Sequence, residues 1–127
     1  MENLNIEKTQ YTPDINLDVS GKISIAGKSY PKNTFEFYAP MMDWIKEYFE
    51  TSAAELTTVN IEITYFNSSS SKLLFDFFDI LNENIDDHSI KVNWIFGEEN
   101  ESAEEAGEDF IEDFEDLNIE LVSKPED

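Results

Sequence analysis

The fold is decided by residues 59–81, which read VNIEITYFNSSSSKLLFDFFDIL. The first half alternates β-branched and polar residues, and this alternation predicts an inner β-strand. The second half, Leu73 to Leu81, is apolar on nearly every side, which is typical of a buried helix. Between the halves, Asn67 and four serines offer side-chain oxygens of the kind that cap helix N-termini. A strand leading directly into a buried helix predicts an α/β unit.

The residues before this segment predict three strands. Period-two alternation occurs at Leu4 and Ile6, at Ile15, Leu17 and Val19, and at Ile23 and Ile25. Turns are predicted at Ser20–Gly21 and at Gly27–Lys28. The alternating runs on either side of the first turn therefore predict an antiparallel hairpin with one buried face.

A first helix is predicted after Asn33, which forms a capping-box pattern with Glu36. An apolar stripe recurs at steps of three and four residues in Tyr38, Met41, Met42, Ile45 and Phe49. We expect this helix to run to about Ser52, with Met41 and Met42 in the core and Trp44 in the core or at an interface. Pro40 either lies in the first turn or kinks the helix.

The residues after the central segment predict a strand, a helix and a final strand. The strand alternates from Ile90 to Phe96, and a capping box of Ser102 with Glu105 predicts the helix start. The apolar stripe of that helix comprises Ala103, Ala106, Phe110, Phe114 and Leu117. A short strand follows at residues 119–122, and the polar tail 123–127 is expected to be frayed.

These elements predict a single α/β domain over residues 1–127, in the order β-β-β-α-β-α-β-α-β. The sheet is expected to be mixed, because an N-terminal antiparallel hairpin precedes strands that alternate with helices. The size agrees with one domain. The helix count is three.

The composition limits the classes of partner. Twenty-nine acidic residues against eight basic ones give a net charge of −21, which argues against nucleic acid and against anionic membrane surfaces as partners. The chain has no cysteine, so disulfides and thiolate sites are excluded. No signal peptide and no membrane-spanning run is recognisable, and we expect a cytoplasmic protein.

The sequence predicts no enzyme, no cofactor and no metal. His88 is the only histidine, and no paired nucleophile and base surround it. Carboxylate pairs are expected from the acidic composition alone. Residues 14–18 resemble the opening of a calcium loop, but Val19 and Ile25 occupy the places where that loop needs glycine and glutamate.

The serine cluster Ser68–Ser71 is the most unusual feature of the chain. It lies where a strand meets a helix, and the free N–H groups of a helix N-terminus favour a phosphate. Lys72 could supply a countercharge. The cluster therefore predicts either a simple helix cap or a phosphorylation site.

Four segments carry a resemblance to a known family: 65–72 (YFNSSSSK), 27–34 (GKSYPKNT), 12–15 (TPDI) and 92–94 (VNW). Together they resemble the SiaC-like regulatory phosphoproteins, over nearly the whole chain. The resemblance implies a STAS-like fold, like that of the anti-sigma-factor antagonists. It also implies a dedicated protein kinase, a PP2C-type phosphatase and an effector protein, such as a diguanylate cyclase, that the unmodified form engages.

The resemblance also implies site residues. It puts the phosphoacceptor at Ser68, with Ser69 and Ser70 as alternatives, and the family often has threonine there. Residues expected to stabilise the phosphate or contact a partner are Asn67, Ser69, Ser70, Ser71 and Lys72. Tyr30 and Lys32 are further candidate partner contacts, and position 32 is usually acidic in the family.

Two functions follow as hypotheses. The first is a phosphorylation-switched protein-binding regulator. The second is a constitutive acidic scaffold or nucleic-acid mimic, which would show steep salt dependence and no response to modification of Ser68.

Overall fold

In the computed structural model, which describes residues 1–51 and 53–125, a six-stranded sheet carries three helices. The elements are β1 (Leu4–Ile6), β2 (Asp14–Leu17), β3 (Lys22–Ser29), α1 (Thr34–Thr51), β4 (Leu56–Phe66), α2 (Ser68–Glu83), β5 (Ser89–Gly97), α3 (Glu101–Asp113) and β6 (Ile119–Lys124). The predicted element order and the mixed α/β fold are confirmed. No helix among the described residues has both the length and the apolar character that crossing a membrane requires.

The strands lie in the sheet in chain order, β1-β2-β3-β4-β5-β6. β1, β2 and β3 pair antiparallel, which confirms the N-terminal hairpin, and β3 to β6 pair parallel. Each parallel connection contains one helix, and connections of this kind are right-handed. From β3 to β6, each new strand lies on the same side of the strand before it. Connections of one handedness then place all three helices on the same face of the sheet.

Strand register explains why one face forms the core. Ile15, Ile25, Ile61 and Trp94 lie side by side across four strands, and all are at most 1% exposed. The intervening residues form a polar row on the other face, where Asn93 Nδ2 donates to Asn60 Oδ1 over 2.8 Å. The sheet is therefore buried under the helices on one side and polar on the other.

The first helix agrees with its predicted pattern. Asn33 Oδ1 accepts from the Glu36 backbone N–H over 3.1 Å, and Pro40 lies inside α1, beyond its first turn. Met41 is buried and Met42 is half-buried. Trp44 belongs to the core and donates its indole N–H to the Glu2 carbonyl. The predicted end at Ser52 lies outside the described residues.

Gly27–Lys28 is not a turn, contrary to the prediction. β3 continues through both residues with an irregular register, and Gly27 has φ +129°. A Cβ added at Gly27 would lie 3.2 Å from the Pro13 Cα. The glycine allows a bulge with a close approach of two backbones, and the strand continues to Ser29.

The predicted start of α3 is also wrong by two residues. The cap is Asn100, whose Oδ1 accepts from the Ala103 N–H and whose Nδ2 donates to the Thr64 carbonyl. Ser102 lies inside the first turn. Asn100 replaces it because the one amide satisfies the helix and also ties it to β4.

At its C-terminal end, α3 stops at Asp113, and Phe114 is the C-cap residue rather than part of the helix. The Phe114 side chain is buried, as predicted. β6 runs through Ser123 and Lys124, further than its sequence pattern indicated. Glu126 and Asp127, in the predicted frayed tail, lie outside the described residues.

Candidate functional site

The serine cluster forms the first turn of α2 rather than a loop before it. Asn67 is the N-cap, and its Oδ1 accepts from the Ser70 N–H over 2.9 Å. The Ser71 N–H donates to the Asn67 carbonyl, and the Asn67 N–H donates to the Ser29 carbonyl. The helix therefore begins five residues before Leu73, where its apolar pattern starts.

The cap leaves a small electropositive region. Ser68 and Ser69 precede the first helical hydrogen bond, so their N–H groups are among those that every helix leaves unpaired at its start. These groups and the helix dipole favour negative charge at this end. Both side chains are exposed to solvent.

Ser70 is different, because its side chain is completely buried. Its hydroxyl donates to the Ser29 carbonyl over 3.0 Å and accepts from the Ser29 hydroxyl over 2.7 Å. The Ser29 hydroxyl also lies 2.5 Å from the Tyr38 hydroxyl. This network joins β3, α1 and α2, and it removes the Ser70 hydroxyl from the reach of a kinase in the folded protein.

Burial raises the pKa of Tyr38, and its hydrogen bond with Ser29 opposes part of that shift. The phenol is therefore neutral at physiological pH, and it donates to the Ser29 hydroxyl oxygen, because Ser29 gives its only proton to Ser70. The three hydroxyls have a structural role, since each has a partner and none has access to solvent.

The two exposed serines line different depressions beside α2. Ser68 lies in a depression toward α3, together with Lys72 and the carboxylates of Asp76, Asp109 and Asp113. Ser69 instead borders a depression toward α1 that contains Lys32, Lys72 and Asp76. Lys72 borders both depressions. The predicted contact residue Lys32 borders only the depression that contains Ser69.

Tyr30, the other predicted contact residue, is the centre of an aromatic trio. Its ring makes edge-to-face contacts with Tyr11 at 5.3 Å and with Tyr65 at 5.5 Å between centroids. Tyr11 and Tyr65 are each about half exposed. The trio lies at the end of the sheet from which α2 starts, because β3 and β4 both end there.

Sequence reasoning missed several exposed apolar residues near the cluster. Phe35 is 74% exposed, the highest value among the large apolar residues described, and Phe75 is 43% exposed. Phe35, Ala39 and Met42 repeat at steps of four and three residues beside the core stripe of α1, and Met42, which was predicted to lie in the core, is only half-buried at its edge. That second stripe was visible in the sequence, whereas Tyr11 stands in a loop without any pattern.

The described residues contain no group of three or more histidine, cysteine, aspartate or glutamate side chains that could hold a metal ion. The site thus offers hydroxyls, a helix N-terminus, two lysines and exposed aromatic rings. These groups are suited to carrying a phosphate and to binding a protein surface.

Comparison with known proteins places this geometry in context. The family model described as "SiaC family regulatory phosphoprotein" matches residues 6–124. An uncharacterized protein of Pseudomonas aeruginosa is 32% identical over 115 residues, which are 89% of this chain and 90% of that protein.

Solved structures agree in fold. SiaC of Pseudomonas aeruginosa superposes with a TM-score of 0.88 at 27% identity, covering 98% of this chain and 100% of that one. A crystal structure of the diguanylate cyclase SiaD in complex with its activator SiaC, also from Pseudomonas aeruginosa, matches with a TM-score of 0.88 at 28% identity. That match covers 95% of this chain and 99% of the other.

Proposed function

The chain belongs to the SiaC family of regulatory phosphoproteins, and from this premise we propose that it is a phosphorylation-switched protein-binding regulator in bacterial signalling. Ser68 is the phosphoacceptor in this proposal. The observation that carries it is the exposed Ser68 hydroxyl in the first turn of α2, within a segment that resembles the family's phosphorylation segment. Exposure favours Ser68 and Ser69 over Ser70, whose hydroxyl is buried, so Ser69 is the first alternative acceptor.

The chemistry of the switch belongs to two partner enzymes. A protein kinase transfers the γ-phosphoryl group of ATP to Ser68 Oγ; the new O–P bond forms as the bond to ADP breaks, and the hydroxyl proton leaves to a base of the kinase. A PP2C-type phosphatase hydrolyses the phosphoserine with water. The chain itself has no catalytic role in this cycle, and its place of action is the cytoplasm.

Two opposing electrostatic effects act on a phosphate at Ser68. The N–H groups of the helix N-terminus and the Lys72 ammonium stabilise it. Asp76, Asp109 and Asp113 in the same depression repel it. A phosphate adds about −1.5 to −2 charges, so the group is expected to extend toward solvent, where a bound partner would lie.

The unmodified form is the one that binds the effector in this proposal. A diguanylate cyclase is the first candidate, because a SiaC of similar structure forms a complex with such an enzyme. Tyr30, Lys32 and the two exposed tyrosines that pack on Tyr30, Tyr11 and Tyr65, are the proposed contacts. The added charge blocks the contact without refolding the domain, since a like charge forced into an interface costs several kcal/mol, about a thousandfold in affinity.

The test compares the unmodified chain and three variants by isothermal titration with a diguanylate cyclase co-isolated from the native cells. Ser68→Ala should retain the affinity of the unmodified chain, and Ser68→Asp should lose most of it. Ser89→Asp is the matched control and should keep the affinity of the unmodified chain, because it adds the same charge at an exposed serine at the start of β5, the opposite end of the sheet from α2's first turn. Equal affinities for all variants, with a steep dependence on salt, would support the constitutive acidic scaffold instead.

A further inference from the structure

A continuous groove runs along the outer side of the helix pair α1 and α2. Its central part has a volume of about 430 Å³. The upper part shares Phe35, Leu73 and Asp76 with it, and the lower part shares Lys46 and Ile80. The three parts follow α1 from Thr34 to Glu50, a distance of about 24 Å at 1.5 Å per residue.

The floor of the groove is apolar. Phe35, Ala39 and Met42 come from α1, and Leu73 and Ile80 come from α2. None of these five side chains is fully buried, and Phe35 is 74% exposed. The core stripe of α1 faces the sheet, and this second stripe stays partly exposed, with Phe35 exposed and Ala39 and Met42 half-buried.

The rim of the groove is strongly acidic. Its central part contains the carboxylates of Asp43, Asp76, Asp79 and Glu83 against the single ammonium of Lys46. All four carboxylates are exposed. An apolar floor between acidic rims is complementary to an apolar stripe flanked by lysine and arginine.

We propose that this groove, lined by α1 and α2, binds a basic amphipathic helix of the partner protein. A helix fits better than an extended strand because the walls are two helices, which offer ridges and grooves for side chains and no free strand edge. The length accommodates four to five turns of a helix. Phe35, Ala39 and Met42 are spaced by four and three residues, so we expect apolar side chains at similar spacing in the partner helix.

Charge excludes the competing occupants. A second copy of the chain also carries −21 charges, and its acidic groove would be repelled by this one. Nucleic acid and anionic membranes are repelled for the same reason. A cationic partner is attracted, both locally by the rim and at longer range by the net charge.

The inference rests on the proposed function, because it names the binding surface of the same regulator. Ser69 and Lys72 lie at the upper end of the groove, and Ser68 precedes Ser69 in the same helical turn. Modification of this turn would therefore act at one end of the bound helix.

The experiment is site-specific photo-crosslinking in the native cells with p-benzoylphenylalanine. The groove probes replace Phe35 and Met42. The matched control replaces Leu56, an exposed apolar residue outside the groove, and a Tyr11 probe tests the tyrosine contacts that the proposed function names. We expect adducts from the groove probes and not from Leu56, and mass spectrometry of the crosslinked peptide should identify an amphipathic helical segment with flanking lysine or arginine.

The outcomes separate this inference from the proposed function. Adducts from Tyr11 or Leu56 with none from Phe35 or Met42 would overturn the groove as the binding site and would leave the proposed regulatory function standing. Crosslinks from Phe35 to a second copy of the chain would also overturn it. No adduct with any protein from any position would contradict both proposals.

A second measurement tests the charge of the rim. The crosslinked partner segment, made as a peptide, is titrated against Asp43→Lys/Asp79→Lys and against Glu105→Lys/Glu112→Lys on the exposed side of α3. Both pairs change the net charge equally. We expect about tenfold weaker peptide binding to the groove variant and less than about twofold change for the α3 control. Equal weakening in both would mean that only the net charge matters, and it would overturn the proposal that the groove is the binding site.

Discussion

The Ser29 hydroxyl donates to the Ser70 hydroxyl over 2.7 Å in the interior, although 41 residues separate the two in the chain. Ser70 returns a hydrogen bond to the Ser29 carbonyl. The contact divides four consecutive serines into different roles: Ser70 holds α2 to β3, while Ser68 and Ser69 remain exposed. The predictions for the cluster follow from this division.

Phosphorylation is expected at Ser68 and not at Ser70. Ser68→Ala should abolish the phosphate in protein purified from native cells, because the acceptor oxygen is gone. Ser70→Ala should leave it, because that oxygen is buried. Peptide mass spectrometry before and after phosphatase treatment measures this. A phosphate found on Ser70, or one that survives Ser68→Ala on Ser69, would reassign the acceptor.

Ser70→Ala should lower the free energy of unfolding by about 1–3 kcal/mol, since it removes two buried hydrogen bonds, one to the Ser29 carbonyl and one from the Ser29 hydroxyl. Ser69→Ala is the control and should change stability by less than about 0.5 kcal/mol, because that side chain is exposed. Urea denaturation of both variants measures the difference. If Ser70→Ala lowers the free energy of unfolding no more than Ser69→Ala does, the buried hydroxyl network contributes nothing to stability.

Tyr38 should make stability depend on alkaline pH. Its pKa is raised by burial, so the folded state keeps the proton at a pH where the unfolded chain has lost it. The stability that this group contributes is fully present below the ordinary tyrosine pKa of about 10 and is lost as pH rises toward the raised folded value.

Tyr38→Phe is the matching variant. At neutral pH it should be less stable than the parent by about 1–2 kcal/mol, because Ser29 loses a hydrogen-bond partner. Above pH 10 the difference in unfolding free energy between the two proteins should shrink. Only the parent loses stability there, because its unfolded state ionises at Tyr38 while its folded state keeps the buried phenol neutral. Denaturation curves at several pH values check the slope, and parallel curves for both proteins would contradict the assignment.

Gly107→Ala should destabilise the domain although alanine favours helices. A Cβ at position 107 would lie 2.5 Å from Trp94 Cδ1 and 2.6 Å from Leu121 Cδ2, so α3 must move away from the sheet. Overpacking of this kind costs about 1–3 kcal/mol. Glu108→Ala, on the exposed side of the same helix, should stay within about 0.5 kcal/mol in thermal or urea unfolding. A stabilised Gly107→Ala variant would show that the helix can shift freely.

Much of the fold was predictable because its signals are local. The alternation around Val59 to Tyr65 and the helical stripe of Tyr38, Met41 and Ile45 each report which side of an element is buried. One buried sheet face and three covering helices follow from those patterns with the right-handed connection rule. The serine cluster could be placed at a strand–helix junction for the same reason.

The mistaken boundaries arose where a distant contact overrides a local signal. Gly27 looked like a turn because glycine often marks one, but the strand passes through it as a bulge beside Pro13. Ser102 looked like a cap, but Asn100 takes that role since its amide also reaches the Thr64 carbonyl, 36 residues earlier. Neither partner is visible from a window of neighbouring residues.

The sequence by itself determined the element order, the acidic surface and a cluster of hydroxyls at the start of a helix, since composition and periodicity are properties of neighbouring residues. Only the tertiary structure decided that Ser70 is buried against Ser29 while Ser68 and Ser69 are exposed. It alone brought Phe35, Met42 and Ile80 together on the outer side of α1 and α2. Such distinctions depend on which elements pack together, and packing joins residues that the chain keeps far apart.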